Sequence, residues 1–214
     1  KAFDVRSAGR LCDLTTWEAA KGLIDWTIAE FGRIDVLVNN VGGASRLQPF
    51  QDWDPEAMVA EVHRSLLPTL FACRAVLPHM LERGSGRIVN VGAESVRNGL
   101  WDRAPYSTGK GGVHALTTSI AREVADKGIT CNCVAPSHTL SVKDRLVDRH
   151  GSRVVSDEEK AHRKQLAERT LGTLPIGRYA ESIEQATAIA FLASDDASYI
   201  TGQILSVNGG SSMM

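Results

Sequence analysis

The chain alternates between short apolar runs and longer segments in which apolar residues recur every three or four positions. The short runs are typical of parallel strands buried on both faces, and the periodic segments are typical of helices that pack on a sheet. Strands are predicted at 10–14, 34–41, 86–91, 129–135 and 203–207. Helices are predicted from a cap at Thr15 or Thr16 to Phe31, where Gly32 ends the first one, and over 55–81, 104–124 and 182–192. This alternation indicates a doubly wound, Rossmann-like α/β fold with helices on both faces of a parallel sheet.

The pattern lapses over residues 137–172, which are charged and irregular and have helical potential only from 157 to 169. A long excursion inside a compact domain is more often a binding segment than filler. We therefore expect residues 137–172 to form a substrate lid within a single domain that covers residues 1–214.

Composition narrows the classes of function. The 214 residues are 43% hydrophobic and carry a net charge of -1, which indicates no nucleic-acid or membrane-surface partner. No apolar run reaches the roughly 18 residues of a spanning helix, and the first residues do not resemble a secretory signal. The sequence predicts a soluble cytoplasmic protein.

All four cysteines lie in apolar segments, so we expect reduced core thiols rather than disulfides. They are Cys12, Cys73, Cys131 and Cys133. Although Cys131 and Cys133 are two positions apart, no second Cys or His pair has ligand spacing, and no metal site is predicted.

Tyr106 and Lys110 place a phenol and an ammonium group four residues apart, on one face of the predicted helix 104–124. Lowering the phenol pKa from about 10 by about three units takes roughly 4 kcal/mol of preference for the phenolate. An ammonium group about 4 Å away supplies about that much at an effective dielectric of about 20. The pair could move a proton to or from a carbinol oxygen. The same spacing also occurs by chance in many helices.

Polar residues follow the carboxyl ends of the predicted strands. They are Asp13, residues 39–43, the loop 92–95 and residues 136–139. Parallel sheets bind ligands at this edge, so we expect these groups to converge there.

In these motifs the chain resembles the short-chain dehydrogenase/reductase family. The resemblance is carried by Asp13-Leu14, Asn39-Asn40-Val41-Gly42, Tyr106 to Lys110, Asn132-x-x-x-Pro136, Ile200-Thr201-Gly202 and Val207-x-Gly209-Gly210. These motifs cover nearly all of the chain. The resemblance implies an oxidoreductase that acts on CH–OH groups with NAD, or with NADP.

The resemblance also implies residue roles. Tyr106 would be the catalytic acid/base, and Lys110 would lower its pKa and hold the nicotinamide ribose. The implied cofactor site comprises Asp13, Leu14, Asn39, Asn40, Gly42, Tyr106, Lys110, Pro136 and Thr139. The alternatives are a helix-capping Asp13, a turn at residues 39–40 and a loop residue at Thr139.

The chain departs from the family at four places: the amino-terminal turn, the catalytic serine, Ser65 in place of a helix asparagine, and Ser137 in place of the glycine that usually follows Pro136. The amino-terminal strand, glycine-rich turn and helix that cradle the pyrophosphate are absent, so we expect the βαβ portion to be missing and the chain to be a fragment. The family's catalytic serine falls at Ala93. Ser95, eleven residues before Tyr106, is expected to replace it, and the alternative is a loop-capping serine.

Within the family, the chain resembles dehydrogenases that act on cis-dihydrodiols of aromatic carboxylates. The carrying residues include Asn39 to Gly43, Arg64-Ser65-Leu66-x-Pro68-Thr69-Leu70, Cys73 to Met80, Arg178-Tyr179 and Ala197 to Gly202. This implies oxidation of a ring secondary alcohol to a catechol-type product. A substrate carboxylate needs a cationic partner, for which Arg97, Arg103 and His138 are candidates, each with a solvated loop residue as its alternative.

Two other functions stay open. One is reduction of a ketone or 3-oxoacyl group by the same fold, and the other is a non-catalytic scaffold subunit. The family resemblance further implies a homo-oligomer, a tetramer. The apolar helix from 186 to 192 and the strand 203–207 would be a bare surface in a monomer.

Overall fold

The computed structural model describes residues 5–139 and 156–213. Four parallel strands form one sheet in the order in which they occur along the chain, β1 (Val36–Asn39), β2 (Gly86–Val91), β3 (Ile129–Pro136) and β4 (Ile204–Val207). The helices are α1 (Trp17–Phe31), α2 (Pro55–Arg83), α3 (Ser95–Asn98), α4 (Ala104–Val124), α5 (Asp157–Leu171) and α6 (Ser182–Ala193). The predicted parallel α/β fold is confirmed.

Helices cover both faces of the sheet. On one face, Ile88 of β2 and Cys131 of β3 pack with residues of α1, α2 and α4. On the other face, Val89 and Val134 pack against Leu192 of α6. Successive strand residues point to opposite faces, so β2 and β3 are buried on both sides, as their apolar runs predict.

The helix ends follow from local chemistry. The Thr16 hydroxyl accepts a hydrogen bond from the Ala19 amide and caps α1, which ends at Gly32 in a left-handed conformation, φ 82°. Helix α4 has the bounds that the sequence predicts. Among the described residues, no helix combines the length and the hydropathy needed to cross a bilayer.

Two strand predictions need correction. Residues 10–14 form no strand, and the Leu11 side chain is fully exposed, because no strand of the described residues lies beside this segment to accept its hydrogen bonds. The predicted strand 34–41 is shorter, and among the described residues it is an outer strand of the sheet rather than one buried on both faces. Val36 and Val38 are 40% and 42% exposed.

The cysteine prediction holds for three of the four residues. Cys73, Cys131 and Cys133 are buried thiols, and burial raises the pKa of Cys73 to about 12 and that of Cys133 to about 11. Cys12 is exposed, because the segment that holds it is not part of the sheet. Within the described ranges, no three His, Cys, Asp or Glu side chains are grouped so that they could hold a metal ion.

The predicted lid is described only in part. Residues 140–155 lie outside the described residues. The helical potential over 157–169 is confirmed by α5, which runs from Asp157 to Leu171. That the segment acts as a lid stays a prediction.

Candidate active site

A cavity of about 290 Å³ opens where the carboxyl ends of the strands meet the first turns of α3 and α4. Its walls hold Asn40, Gly42, Gly43, Val91, Gly92, Ala93, Ser95, Leu100, Arg103, Tyr106, Lys110, Pro136, Ser137, His138 and Thr139. This is the sheet edge at which the sequence predicts a ligand site.

Tyr106 and Lys110 line this cavity from the first two turns of α4. Lys110 is only 3% exposed, and its Nζ donates a hydrogen bond to the Val91 carbonyl at 2.6 Å. Burial lowers the pKa of the ammonium group to about 8. Water screens a buried charge poorly, so Lys110 acts strongly on any oxyanion in the same cavity.

Close packing of α4 on α2 sets the position of this pair. Gly109 lies against α2 so tightly that a Cβ atom there would be 2.7 Å from the Ser65 Cβ. Ser65 is buried, and its hydroxyl has no hydrogen-bond partner among the described residues. Gly109, which lies between Tyr106 and Lys110 in the sequence, therefore allows α2 and α4 to approach closely. This contact fixes the position of the Tyr106 and Lys110 side chains in the cavity.

Ser95 lies in the cavity wall at the start of α3. It is buried, and its Oγ accepts a hydrogen bond from the Ser107 hydroxyl at 2.9 Å. Because Ser107 uses an acceptor site of Ser95, the Ser95 proton can be donated to an oxygen in the cavity. Glu94 is the residue before α3, and its side chain makes no capping hydrogen bond to that helix.

Gly42 brings backbone close to Lys110. Its φ of 124° is one that residues with a Cβ rarely adopt, and a Cβ atom there would be 3.5 Å from the Lys110 Nζ. The space beside the ammonium group is therefore left open for a ligand. Asn40 and Thr139 border the same cavity.

The buried carboxylate of Glu61 fixes the loop that follows β1, which carries Asn40 and Gly42. Glu61 of α2 accepts a hydrogen bond from the Ser45 amide at 3.0 Å and pairs with Arg64, which also donates to the Ser45 hydroxyl at 2.7 Å. A buried charge is tolerated only when it is paired and hydrogen-bonded. The amino-acid sequence does not predict this cluster, because only the three-residue spacing of Glu61 and Arg64 signals it.

Three predicted cofactor residues lie outside the cavity wall. Asn39 is buried in β1, and its Nδ2 donates to the Oδ1 of Asn90, its register partner in β2, at 2.9 Å. Asp13 is exposed, and hydrogen bonds from the Thr15 hydroxyl at 2.7 Å and from the Thr15 amide at 3.0 Å lower the pKa of its carboxyl. Leu14 is half-buried in the turn before α1. The structure brings none of the three to the Tyr106 cavity.

Of the three candidates for a carboxylate partner, Arg103 and His138 line the cavity and Arg97 does not. Arg97 donates to the Ile204 carbonyl at 3.1 Å and to the Ser206 hydroxyl, so it joins α3 to β4.

Arg103 supplies a guanidinium group to the cavity wall. Its Nε is buried and has no hydrogen-bond partner among the described residues. Burial, and next the charge of Arg103, lowers the pKa of His138 to about 4, so that imidazole is neutral at neutral pH. Burial also lowers the pKa of the Arg103 guanidinium, but arginine keeps its charge in proteins.

A phenol, a buried ammonium group and a hydroxyl lie together at this edge of a parallel sheet, where such groups can exchange a proton with a carbinol oxygen. The family model described as enoyl-(acyl carrier protein) reductase matches residues 2–212. The chain therefore belongs to the short-chain dehydrogenase/reductase family, which confirms the resemblance seen in the sequence.

Individual relatives agree with the family. The 1,6-dihydroxycyclohexa-2,4-diene-1-carboxylate dehydrogenase of Acinetobacter baylyi is 48% identical over 198 residues, which cover 92% of this chain and 74% of that protein. The 2,3-dihydroxy-2,3-dihydro-p-cumate dehydrogenase of Pseudomonas putida is 41% identical over 203 residues, which cover 94% and 73%. A gluconate 5-dehydrogenase from Burkholderia cenocepacia, solved with NADP and tartrate, has a TM-score of 0.79 at 28% identity, covering 94% of this chain and 73% of that one.

Proposed function

We propose that this protein oxidises a cis-dihydrodiol of an aromatic carboxylate to a catechol-type product. The observation that carries the proposal is a half-buried arginine, Arg103, whose Nε is buried and which lies in the same cavity as Tyr106 and Lys110. A guanidinium group is the best geometric match for a carboxylate. The names of the two dehydrogenase relatives, which specify dihydroxylated ring carboxylates, support the same substrate class.

The cavity fits the nicotinamide end of NAD or NADP. Gly42 leaves space beside the Lys110 ammonium group, and Asn40 and Thr139 offer hydrogen-bonding groups in the wall of the same cavity. Asn40, Gly42, Lys110 and Thr139 would hold the dinucleotide, with NAD as the expected form. When bound, it supplies the acceptor for the hydride that leaves the carbinol carbon.

The side chains of the cavity transfer the substrate proton and bind the substrate. The Tyr106 oxygen removes the proton of the ring hydroxyl, and the Lys110 charge favours the phenolate that this requires. Ser95 donates its hydroxyl proton to the same substrate oxygen and orients it. Arg103 binds the carboxylate and fixes the ring. Oxidation then allows the ring to regain aromaticity, as a catechol or with loss of the carboxylate.

A substrate panel tests the proposal on the full-length protein. We expect turnover of 1,6-dihydroxycyclohexa-2,4-diene-1-carboxylate with NAD, measured by formation of the reduced cofactor, and a much lower kcat/KM for the same diol without its carboxylate. Absence of diol oxidation, combined with reduction of ketones or 3-oxoacyl groups with NADPH, would instead support the reductase alternative. Inactivity in both assays, together with failure to bind either dinucleotide, would support the scaffold alternative.

We also propose that the enzyme is a cytoplasmic homotetramer. Exposed apolar side chains on α6 and β4 support an interface there, namely Ile183, Phe191 and Leu205. Strand β4 is the outer strand of the described sheet on that side.

Three buried cysteines that remain thiols agree with a reducing compartment.

A further inference from the structure

Residues 100–103, which we call the wall loop, join the cavity to α5. Leu100 and Arg103, the first and last residues of the wall loop, line the cavity. Trp101 and Asp102, which lie between them, contact α5. The carboxylate of Asp102 lies 2.8 Å from His162 Nε2, and the guanidinium carbon of Arg169 lies 3.5 Å from the centre of the Trp101 ring. Helix α5 therefore contacts the two residues of the wall loop that immediately precede Arg103.

Asp102 has a backbone conformation that must be held in place. Its φ of 62° is left-handed, and among the described residues no other non-glycine residue has a positive φ. Aspartate tolerates this region better than most residues but still disfavours it. The Asp102 carbonyl accepts a hydrogen bond from the Gln48 amide at 3.1 Å, and its carboxylate is held by His162. Both contacts fix the direction in which the chain enters Arg103.

Burial of the Asp102 carboxylate strengthens its contact with His162. The Asp102 side chain is 15% exposed, so water competes weakly for its carboxylate, whereas the His162 side chain is 39% exposed. Burial has the largest effect on the pKa of Arg103 and lowers it. The charges of Tyr106 and then of Asp102 raise this pKa, whereas that of Arg163 in α5 lowers it.

We propose that the Asp102–His162 pair positions Arg103 to receive the substrate carboxylate, so that His162 sets specificity without touching the substrate. The pair fixes the strained turn of the wall loop, and the turn aims the guanidinium at the cavity. The identity of the ligand rests on the proposed function, and the positioning of the loop does not.

The first test separates binding from chemistry in the full-length enzyme. His162→Ala should raise the KM for the carboxylated dihydrodiol by about fivefold or more and leave kcat within about twofold. The KM for the diol without a carboxylate should not change. His162→Gln, which keeps a donor for Asp102, should restore most of the affinity. The control is Lys164→Ala, at an exposed position of the same helix, which should behave as wild type.

An equal rise in KM for both diols, or no rise for either, would overturn the proposal. So would a loss of affinity in Lys164→Ala that matches that of His162→Ala. Should His162→Ala fail to fold, Asp102→Asn provides the test, because asparagine tolerates a left-handed backbone and removes only the charge. It should raise the KM for the carboxylated diol selectively, and a wild-type KM would reject the pair.

The second test does not depend on the substrate. Hydrogen exchange of the backbone amides in residues 100–103 should be faster in His162→Ala than in wild type and Lys164→Ala. Unchanged exchange would reject the positioning role. If the wild type oxidises no diol, the proposed function fails, and this measurement still decides whether His162 holds the wall loop.

Discussion

At the scale of single residues, the buried charge of Lys110 lowers the free energy of unfolding but is needed for catalysis. The pKa of Lys110 falls from 10.5 to about 8, which corresponds to about 3 kcal/mol of lost preference for the charged form. Lys110→Met removes that charge and also the hydrogen bond to Val91. We expect the variant to be more stable by about 1–2 kcal/mol at pH 7 and nearly inactive.

The sign of the pH dependence follows from the lowered pKa. Below pH 8 the wild-type lysine is charged in both the folded and the unfolded state, and the full cost of burial is present. Between pH 8 and 10.5 only the unfolded state keeps the proton, so wild-type stability rises with pH. The advantage of Lys110→Met should therefore be greatest below pH 8 and shrink above it. Thermal unfolding from pH 6 to 10 measures this, and a constant or growing advantage would contradict the account.

Ser95 supplies a second prediction at this scale. Because it lines the cavity and accepts a hydrogen bond from Ser107, Ser95→Ala should lower kcat by about a hundredfold. Ser65→Ala is the control, since Ser65 is buried between α2 and α4 and is not part of the cavity wall. Steady-state kinetics of both variants decide the matter. Loss of activity in Ser65→Ala with normal activity in Ser95→Ala would move the role to α2.

At the scale of secondary-structure elements, the close contact between α2 and α4 predicts the effect of substituting Gly109. A Cβ at Gly109 would meet Ser65 at 2.7 Å, whereas a Cβ at Gly111 has only Val96 near it, at 3.8 Å. Gly109→Ala should lower the free energy of unfolding by about 1–3 kcal/mol and reduce kcat by displacing Lys110. Gly111→Ala, in the same helix, should be neutral or stabilising by up to about 1 kcal/mol. Equal effects in denaturant unfolding would show that this packing is not specific.

The elements also show how far the sequence can predict the structure. Helix α4 was placed correctly because its periodicity is a property of the segment itself. The strand at 10–14 was wrong, because pairing depends on a neighbour that the segment's own residues do not reveal. At the site, Tyr106 and Lys110 were predictable from one helix. The Glu61 cluster also includes Ser45, and only the spacing of Glu61 and Arg64 marks it in the sequence. The Asp102–His162 pair joins residues 60 positions apart, and no local pattern signals it.

At the scale of the whole molecule, the apolar surface of α6 and β4 predicts assembly. Ile183 and Phe191 are exposed on α6, and burying them against a second copy would remove them from water. Light scattering at micromolar concentration should give the mass of a tetramer, and Phe191→Asp should shift it towards smaller species. A monomeric wild type would refute the proposed assembly.

Tyr106→Phe in the full-length protein tests the central claim most directly. The substitution keeps the ring in the cavity and removes the one hydroxyl that would accept and release the substrate proton. We expect kcat for the carboxylated dihydrodiol to fall by about a thousandfold, while the dissociation constant for NAD changes by less than about threefold. Retention of more than about a tenth of wild-type kcat, with NAD binding intact, would contradict the assignment of Tyr106 as the acid/base.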